Sequence, residues 1–264
     1  LPINLFGATI GQASFPSMSN EHDQNGAQFG NTIANTVLLI AFFTLPIAAL
    51  LLVLRIPIVR LVFGAKNFPW EATLATGRTV AMFALSIPAQ AINQLLIRAF
   101  YAAHDTRRPL ATTLVTTLML LGLIPLLALK SGLGVMGAAM AIAIADILNM
   151  ILLMILIKKR LAGDILTKMA GPAARMIIAT VLMGIFLWIP MKLLELLVFD
   201  TTRTLPLIAL TGIAALMGGS VYLGLSKLLG ISELATVLIL FRKIGNWKTL
   251  IKEVPSGAVE SPEI

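Results

Sequence analysis

Seven polar residues recur along one otherwise apolar stretch of the sequence, at spacings that place them on one side of a helix. In a helix over about residues 71–103 they fall within an arc of less than half the circumference. The opposite face is formed by Ala, Leu, Ile and Phe. The spacing predicts a polar stripe formed by Ser86, Gln90, Asn93, Gln94, Arg98, Tyr101 and Asp105.

Two interpretations of this stripe remain open. Polar side chains are costly against lipid, so the stripe could line a water-filled cavity that a polar substrate enters. It could equally supply interhelical hydrogen bonds that only hold a bundle together. Arg98, near the helix end, could also extend its guanidinium to the membrane surface. We predict that Gln90, Gln94 and Arg98 line a hydrated cavity.

A carboxylate, Asp146, lies well inside another apolar helix, predicted over residues 134–160, and Asn149 follows one turn later. This depth places it near the middle of the membrane. A lone charged carboxylate there costs roughly 2.5–3.5 kcal/mol on insertion scales. Asp146 and Asn149 are therefore a candidate ion-coupling site, and the alternative is a neutral aspartic acid with a structural role.

Motifs for catalysis are missing from the sequence. It contains no G-x-S-x-G, H-E-x-x-H or P-loop pattern, and its carboxylates are scattered. Cysteine is absent and the two histidines, His22 and His104, lie far apart. We therefore expect no enzyme, no cofactor and no metal site. The net charge of +8 suits connections beside anionic lipid rather than a nucleic-acid surface.

Composition predicts an all-α, polytopic transmembrane helix bundle. Apolar residues make up 58% of the chain and charged residues 12%, whereas a soluble domain has roughly a quarter charged residues. Several apolar runs reach the roughly 20 residues that span a bilayer. We expect a membrane-helix end over 1–19, a polar loop over 20–30, helices over 31–63, 71–103, 108–129, 134–160, 172–198 and 204–229, a basic loop over 161–170, an amphipathic helix over 231–244 and a disordered tail from Val254.

Three motifs in this sequence match those of a known family. Residues 96–109, LIRAFYAAHDTRRP, contain R-A-F-Y-A-x-x-D-T-R-x-P, in which Arg107 and Arg108 form a small basic cluster. Residues 56–68, IPIVRLVFGAKNF, and residues 1–20, LPINLFGATIGQASFPSMSN, carry the other two motifs. Together they resemble the MurJ (MviN) lipid II flippases of bacterial cell-wall synthesis, in the MOP flippase superfamily.

The resemblance implies a transporter that moves the lipid-linked peptidoglycan precursor lipid II from the cytoplasmic to the outer leaflet by alternating access. It implies a MurJ/MATE-like fold of two lobes, with this chain as roughly the C-terminal half. Residues 1–160 would form part of the C-terminal lobe, 161–229 two additional membrane helices, and 230–264 a cytoplasmic amphipathic helix and tail. Its partners would be lipid II, membrane lipids and the N-terminal lobe of the same protein.

The resemblance also bears on charged and ion-binding residues. Arg98, and after it Arg55, are the candidates here for contacting the pyrophosphate of lipid II. Some relatives bind sodium with an Asn, an Asp or Asn four residues on, and a Thr in the next helix. The corresponding positions here are Leu120, Ile124 and, nearby, Ile142, whose side chains offer no oxygen ligand. That sodium site is therefore expected to be absent.

Basic residues are concentrated in alternate connections. This bias predicts that Arg107, Arg108 and the C-terminus lie on the cytoplasmic side of a bacterial inner membrane, with Lys66 and Arg203 outside. Two other functions stay open. One is an exporter of drugs or polysaccharide-linked lipids in the same superfamily, and the other is a membrane scaffold that transports nothing.

Overall fold

The chain folds as a succession of helices. The computed structural model describes residues 3–24, 26–64, 68–160, 165–197, 204–235 and 237, and no strand occurs among them. Two π-helical segments, Ile3–Ala8 and Pro125–Lys130, precede the first helix and follow the fifth. The α-helices are α1 (Thr9–Gln24), α2 (Gly26–Val53), α3 (Arg55–Phe63), α4 (Trp70–Ala102), α5 (Arg107–Ile124), α6 (Gly134–Arg160), α7 (Ile165–Leu197) and α8 (Thr204–Leu228).

Six helical stretches of the described chain are long and apolar enough to cross a membrane, which confirms the predicted polytopic bundle. The stretch that contains α5 continues through the π-helical segment to Lys130. Each of the six overlaps one of the predicted membrane helices. They are Gly26–Val53, Trp70–Ala102, Arg107–Lys130, Gly134–Lys159, Thr167–Trp188 and Pro206–Leu228.

The predicted helix over 31–63 is wrong at its centre, because the chain breaks at Leu54 between α2 and α3. Pro57 causes this break. Proline lacks an N–H donor, and its ring clashes with the carbonyl four residues earlier, which here belongs to Val53, the last residue of α2. Leu54 is buried, and its backbone carbonyl still accepts a bond from the Ile58 N–H at 2.9 Å.

Two predicted loops are also largely helical. The polar loop over 20–30 is wrong, since α1 continues to Gln24 and α2 begins at Gly26. The polar side chains of residues 20–30 lie at the ends of two helices, where they can remain in water. Their polarity is therefore compatible with helix and did not require a loop. The basic loop predicted over 161–170 is wrong from Ile165 onward, where α7 begins, because Met169 is 7% exposed and anchors this first turn in the core.

Helix α4 is the central element and packs against α1, α2, α3 and α6. Helix α7 packs against α2 and α8, while α5 packs mainly on α6. The main core lies where α2, α4, α6 and α7 meet, and its large side chains include Phe29, Ile33, Leu95, Phe100 and Leu153. The fold therefore presents the predicted polar stripe of α4 to the other helices.

The chain after α8 returns to the bundle. Ile231, Leu234 and Val237 are buried and belong to the main core. Residue 236 and residues 238–244 of the amphipathic helix predicted over 231–244, and the whole tail from Val254, lie outside the described residues.

Candidate functional site

The polar stripe of α4 meets the carboxylate of α6. The Gln90 Nε2 amide donates to Asp146 Oδ2 at 2.6 Å and to Ser86 Oγ at 3.0 Å. The Asn93 Nδ2 amide donates to the backbone carbonyl of Asp146 at 2.9 Å. Two groups of residues that the sequence suggested separately thus form one site. We call Ser86, Gln90, Asn93, Asp146 and Asn149 the α4–α6 polar cluster.

Small residues allow the two helices to approach this closely. Ala89 on α4 and Ala143 and Ala145 on α6 are all at most 6% exposed. Alanines at a helix interface let the backbones come together, so that short side chains such as Asn and Asp reach across. The hydrogen bonds from Gln90 and Asn93 show that this part of α4 lies level with Asp146 of α6.

The cluster contains acceptor oxygens without donors. Among the described residues, Asn93 Oδ1 and Asn149 Oδ1 of the cluster are buried and have no hydrogen-bond partner, and neither has Gln94 Oε1, which follows Asn93 in the sequence. Asn93 is 6% exposed and Asn149 8% exposed. Each such orphan costs about 1–3 kcal/mol in a protein interior. The cluster therefore has an unused capacity to accept hydrogen bonds or to ligate a cation.

Arg98, one further turn along α4 from Gln94, is half-buried and faces the start of the chain. Its Nη1 donates to the backbone carbonyl of Ala8, at the end of the first π-helical segment. A guanidinium carries five N–H groups, so this bond uses one of them.

Two glycines let the N-terminal segment lie against α4. A Cβ added at Gly7 would come 2.8 Å from Ala91 Cα, and one at Gly11 would come 3.5 Å from Arg98 Cδ. This contact between the N-terminal segment and α4 was not predicted. The four-residue spacing of Gly7 and Gly11 is the small-xxx-small pattern of membrane-helix interfaces and could have predicted it.

The stripe ends before Asp105, because α4 ends at Ala102. His104 adopts a positive φ of 53°, and the Asp105 N–H bonds to the Phe100 carbonyl at 2.9 Å. This is the Schellman arrangement that terminates helices, with histidine in the position that usually holds glycine. Tyr101 is half-exposed near this end.

Asp105 instead caps α5. Its Oδ1 accepts a hydrogen bond from the Arg108 N–H at 3.2 Å, and its Oδ2 lies 3.3 Å from Arg108 Nε. A carboxylate at a helix N-terminus satisfies a free backbone donor and interacts well with the helix dipole. Arg107 next to it is exposed. The basic cluster of Arg107 and Arg108 therefore lies on the surface, in the first turn of α5.

An apolar groove lies on another side of α4, between α2, α4 and α7. Its volume is about 520 Å³. The groove was not predicted, because its lining is spread over three helices that the sequence does not relate to each other. Lining residues include Leu45, Leu52, Leu85, Pro88, Val181 and Trp188.

Comparisons with known proteins agree on one family. A family model described as "Lipid II flippase MurJ" matches residues 1–210. A probable lipid II flippase MurJ of Bdellovibrio bacteriovorus is 27% identical over 211 residues, which cover 80% of this chain and 39% of the relative. A probable lipid II flippase MurJ of Rhizobium meliloti is 31% identical over 154 residues, covering 58% of this chain and 28% of the relative.

A solved structure has the same fold. It is a lipid II flippase MurJ in an inward closed conformation, with 21% sequence identity and a TM-score of 0.63. The match covers 84% of this chain and 44% of that chain. The chain therefore spans less than half the length of the proteins that it matches.

Proposed function

Because the chain belongs to the lipid II flippase MurJ family, we propose that the intact protein moves lipid II from the cytoplasmic to the outer leaflet of the bacterial plasma membrane. The match over residues 1–210 carries this proposal. We propose a transporter that works by alternating access, and not an enzyme. This chain would supply one side of the transport path, and the N-terminal lobe of the same protein would supply the other.

A lipid-linked substrate needs a polar surface for its head group and an apolar surface for its tail. The α4 stripe and the groove between α2, α4 and α7 have these two characters. We propose that Gln90, Gln94, Arg98 and Tyr101 face the head group. The guanidinium of Arg98 keeps N–H donors beyond the one that it gives to Ala8, and such donors bind pyrophosphate oxygens well.

The second proposed element is the ion-coupling pair, Asp146 and Asn149. Gln90 supports this proposal, since its amide nitrogen donates both to Asp146 and to Ser86 of the stripe. A change in the charge of Asp146, or the binding of an ion to it, would alter these hydrogen bonds. It would thereby move the side chain of Gln90, which is part of the proposed substrate path. Coupling would then require no residue between the two sites other than Gln90.

We propose that the turn at Asp105–Arg108 and the C-terminus face the cytoplasm. The alternating distribution of basic residues supports this orientation. Helix α4 ends shortly before α5 begins, and α6 ends shortly before α7 begins. With α4 and α6 parallel, the basic residues near both of these junctions lie at the same end of the bundle.

Transfer of lipid II can be tested in bacteria depleted of their own flippase. The intact protein should restore growth and make lipid II accessible to an externally added enzyme that cleaves it. An empty vector gives the background. Normal amounts of membrane-inserted protein together with lipid II that stays inaccessible would refute the proposed function.

A further inference from the structure

A second cavity, of about 440 Å³, lies where the segment after α8 returns to the bundle. Its lining residues are Asn35, Thr36 and Leu39 of α2 and Ser232 and Glu233 of the returning segment. Ile231 and Leu234, which flank the two polar residues of that segment, are buried in the main core. They hold Ser232 and Glu233 against α2. The cavity shares no residue with the α4–α6 polar cluster.

Glu233 places a carboxylate in this cavity, and the other lining residues named above are uncharged. The residue is 9% exposed. Its Oε2 accepts a hydrogen bond from Ser232 Oγ at 3.0 Å, but Glu233 forms no ion pair within the described part of the chain. A carboxylate removed from water is costly unless a positive charge accompanies it. The cavity therefore suits a cationic group.

The hydroxyl groups of the cavity present oxygen lone pairs to a ligand. Thr36 Oγ1 donates to the Thr32 carbonyl at 2.7 Å, and Ser232 Oγ donates to Glu233 Oε2. A hydroxyl has one hydrogen, and these two bonds use both of them. Two hydroxyl oxygens and a carboxylate remain as acceptors. A matching ligand needs a positive charge and several N–H donors, and a primary ammonium group, with three, has both.

The depth of the cavity indicates that such a group can arrive with a lipid. Helix α2 begins at Gly26 and is long enough to cross a membrane. Asn35 lies nine residues along it, about 13 Å from its start, which is close to the boundary between head groups and hydrocarbon. Leu39, one turn deeper, gives the cavity an apolar wall. A lipid head group can therefore enter the cavity while its acyl chains stay in the membrane.

A basic side chain near the cavity suits the phosphate of the same head group. Lys168 of α7 is exposed, and its Nζ donates to Asn31 Oδ1 at 3.3 Å. Asn31 precedes Asn35 by one turn of α2, on the side of the membrane surface. An ammonium on a flexible stem binds phosphate oxygens as a point charge and keeps further N–H groups for them. The two charged side chains thus match a zwitterionic head group.

From this arrangement we propose that the cavity between α2 and the segment after α8 binds a phospholipid whose head group ends in a primary ammonium, as in phosphatidylethanolamine. The ammonium occupies the cavity beside Glu233, and the phosphate lies towards Lys168. A lipid bound there links α2 to the returning segment. The site is independent of the proposed transfer of lipid II, and either proposal can fail without the other.

The chemistry of the cavity separates ethanolamine from choline head groups. A choline head group has the same phosphate and the same positive charge, but its nitrogen carries methyl groups and no N–H donor. Acceptors of the cavity would then be desolvated without a partner, which lowers affinity. Anionic head groups without an amine bring negative charge towards Glu233 and are repelled.

Binding can be measured by native mass spectrometry without any transport. The intact protein, purified in detergent and freed of lipid, is titrated with dioleoyl phosphatidylethanolamine or dioleoyl phosphatidylcholine, and bound lipid is counted. We expect the wild type to bind the ethanolamine lipid about tenfold or more tightly than the choline lipid. Glu233→Gln, which removes the charge but preserves the size, should abolish this preference. Thr36→Val, which removes one acceptor, should weaken binding of the ethanolamine lipid about threefold.

Glu71→Gln is the matched control, because it makes the same chemical change at an exposed carboxylate in the first turn of α4. This variant should keep the wild-type preference. Equal affinities of the wild type for the two lipids would overturn the inference. So would an unchanged preference in a Glu233→Gln variant whose circular dichroism matches that of wild type. Displacement of the ethanolamine lipid by an equal concentration of soluble phosphoethanolamine would overturn the assignment to a lipid.

Discussion

The hydrogen bond between Gln90 and Asp146 is the contact that joins the stripe to the carboxylate, and its energy can be measured. Gln90→Leu preserves most of the side-chain volume but removes the donor at 2.6 Å from Asp146 Oδ2 and at 3.0 Å from Ser86 Oγ. A carboxylate oxygen left without its donor costs about 1–3 kcal/mol. We expect Gln90→Leu to lower the free energy of unfolding by an amount in this range.

A double-mutant cycle measures the interaction free energy between Gln90 and Asp146. Interhelical hydrogen bonds in membrane proteins contribute about 0.6 kcal/mol on average and up to about 1.7 kcal/mol. The bond is short and its acceptor is a carboxylate, so we expect the upper part of this range. In an Asp146→Leu variant, Gln90→Leu should therefore lower the free energy of unfolding by less than it does in the wild type, since no unsatisfied carboxylate is left behind.

The assay is reversible unfolding of the intact protein in mixed micelles, followed by circular dichroism as sodium dodecyl sulfate is added. Thr116→Val combined with Gln90→Leu serves as the control pair, and their effects should add within about 0.5 kcal/mol. Additive effects of Gln90→Leu and Asp146→Leu would contradict this expectation, because they would mean that the two side chains do not interact.

Three further predictions concern the packing, the turn and the orientation. Gly7→Ala should destabilise the protein by about 1–3 kcal/mol, since the new Cβ would lie 2.8 Å from the α4 backbone. Gly122→Ala is the control and should not destabilise it, because a Cβ there would have nothing within 4 Å. Unfolding of both variants measures the difference. Asp105→Ala should cost about 1 kcal/mol through loss of the α5 cap, and an unfolding curve equal to that of wild type would contradict the capping role. A cysteine at position 66 should react with an impermeant reagent in intact cells and one at position 107 only after permeabilisation, and the reverse pattern would contradict the proposed orientation.

The sequence predicted the six membrane helices, but not all of their bounds. Long apolar runs can satisfy their backbone groups in lipid only as helices, so six spans could be placed from composition. The stripe followed from the 3.6-residue period, which puts Gln90, Asn93 and Gln94 on one face. The three motifs that resemble the MurJ family predicted the membership that the comparisons confirm.

The partner of the stripe could not be predicted in the same way. Gln90 and Asp146 are 56 residues apart in the chain, and their meeting depends on how far α6 slides along α4. Small residues permit the two helices to approach closely, but they do not specify one register, so this pairing leaves no signal in the sequence. The break at Leu54 was missed for a local reason, because the effect of Pro57 falls four residues upstream of the proline.

We propose that the α4 stripe and Asp146 act in the transfer of lipid II. The most direct measurement is the rate at which the intact protein, reconstituted in liposomes, moves labelled lipid II between leaflets. We predict that Thr116→Val retains the wild-type rate and that Gln90→Leu and Arg98→Leu reduce it at least tenfold at equal protein content. Wild-type rates in both stripe variants, or no transfer by the wild-type protein, would contradict the claim.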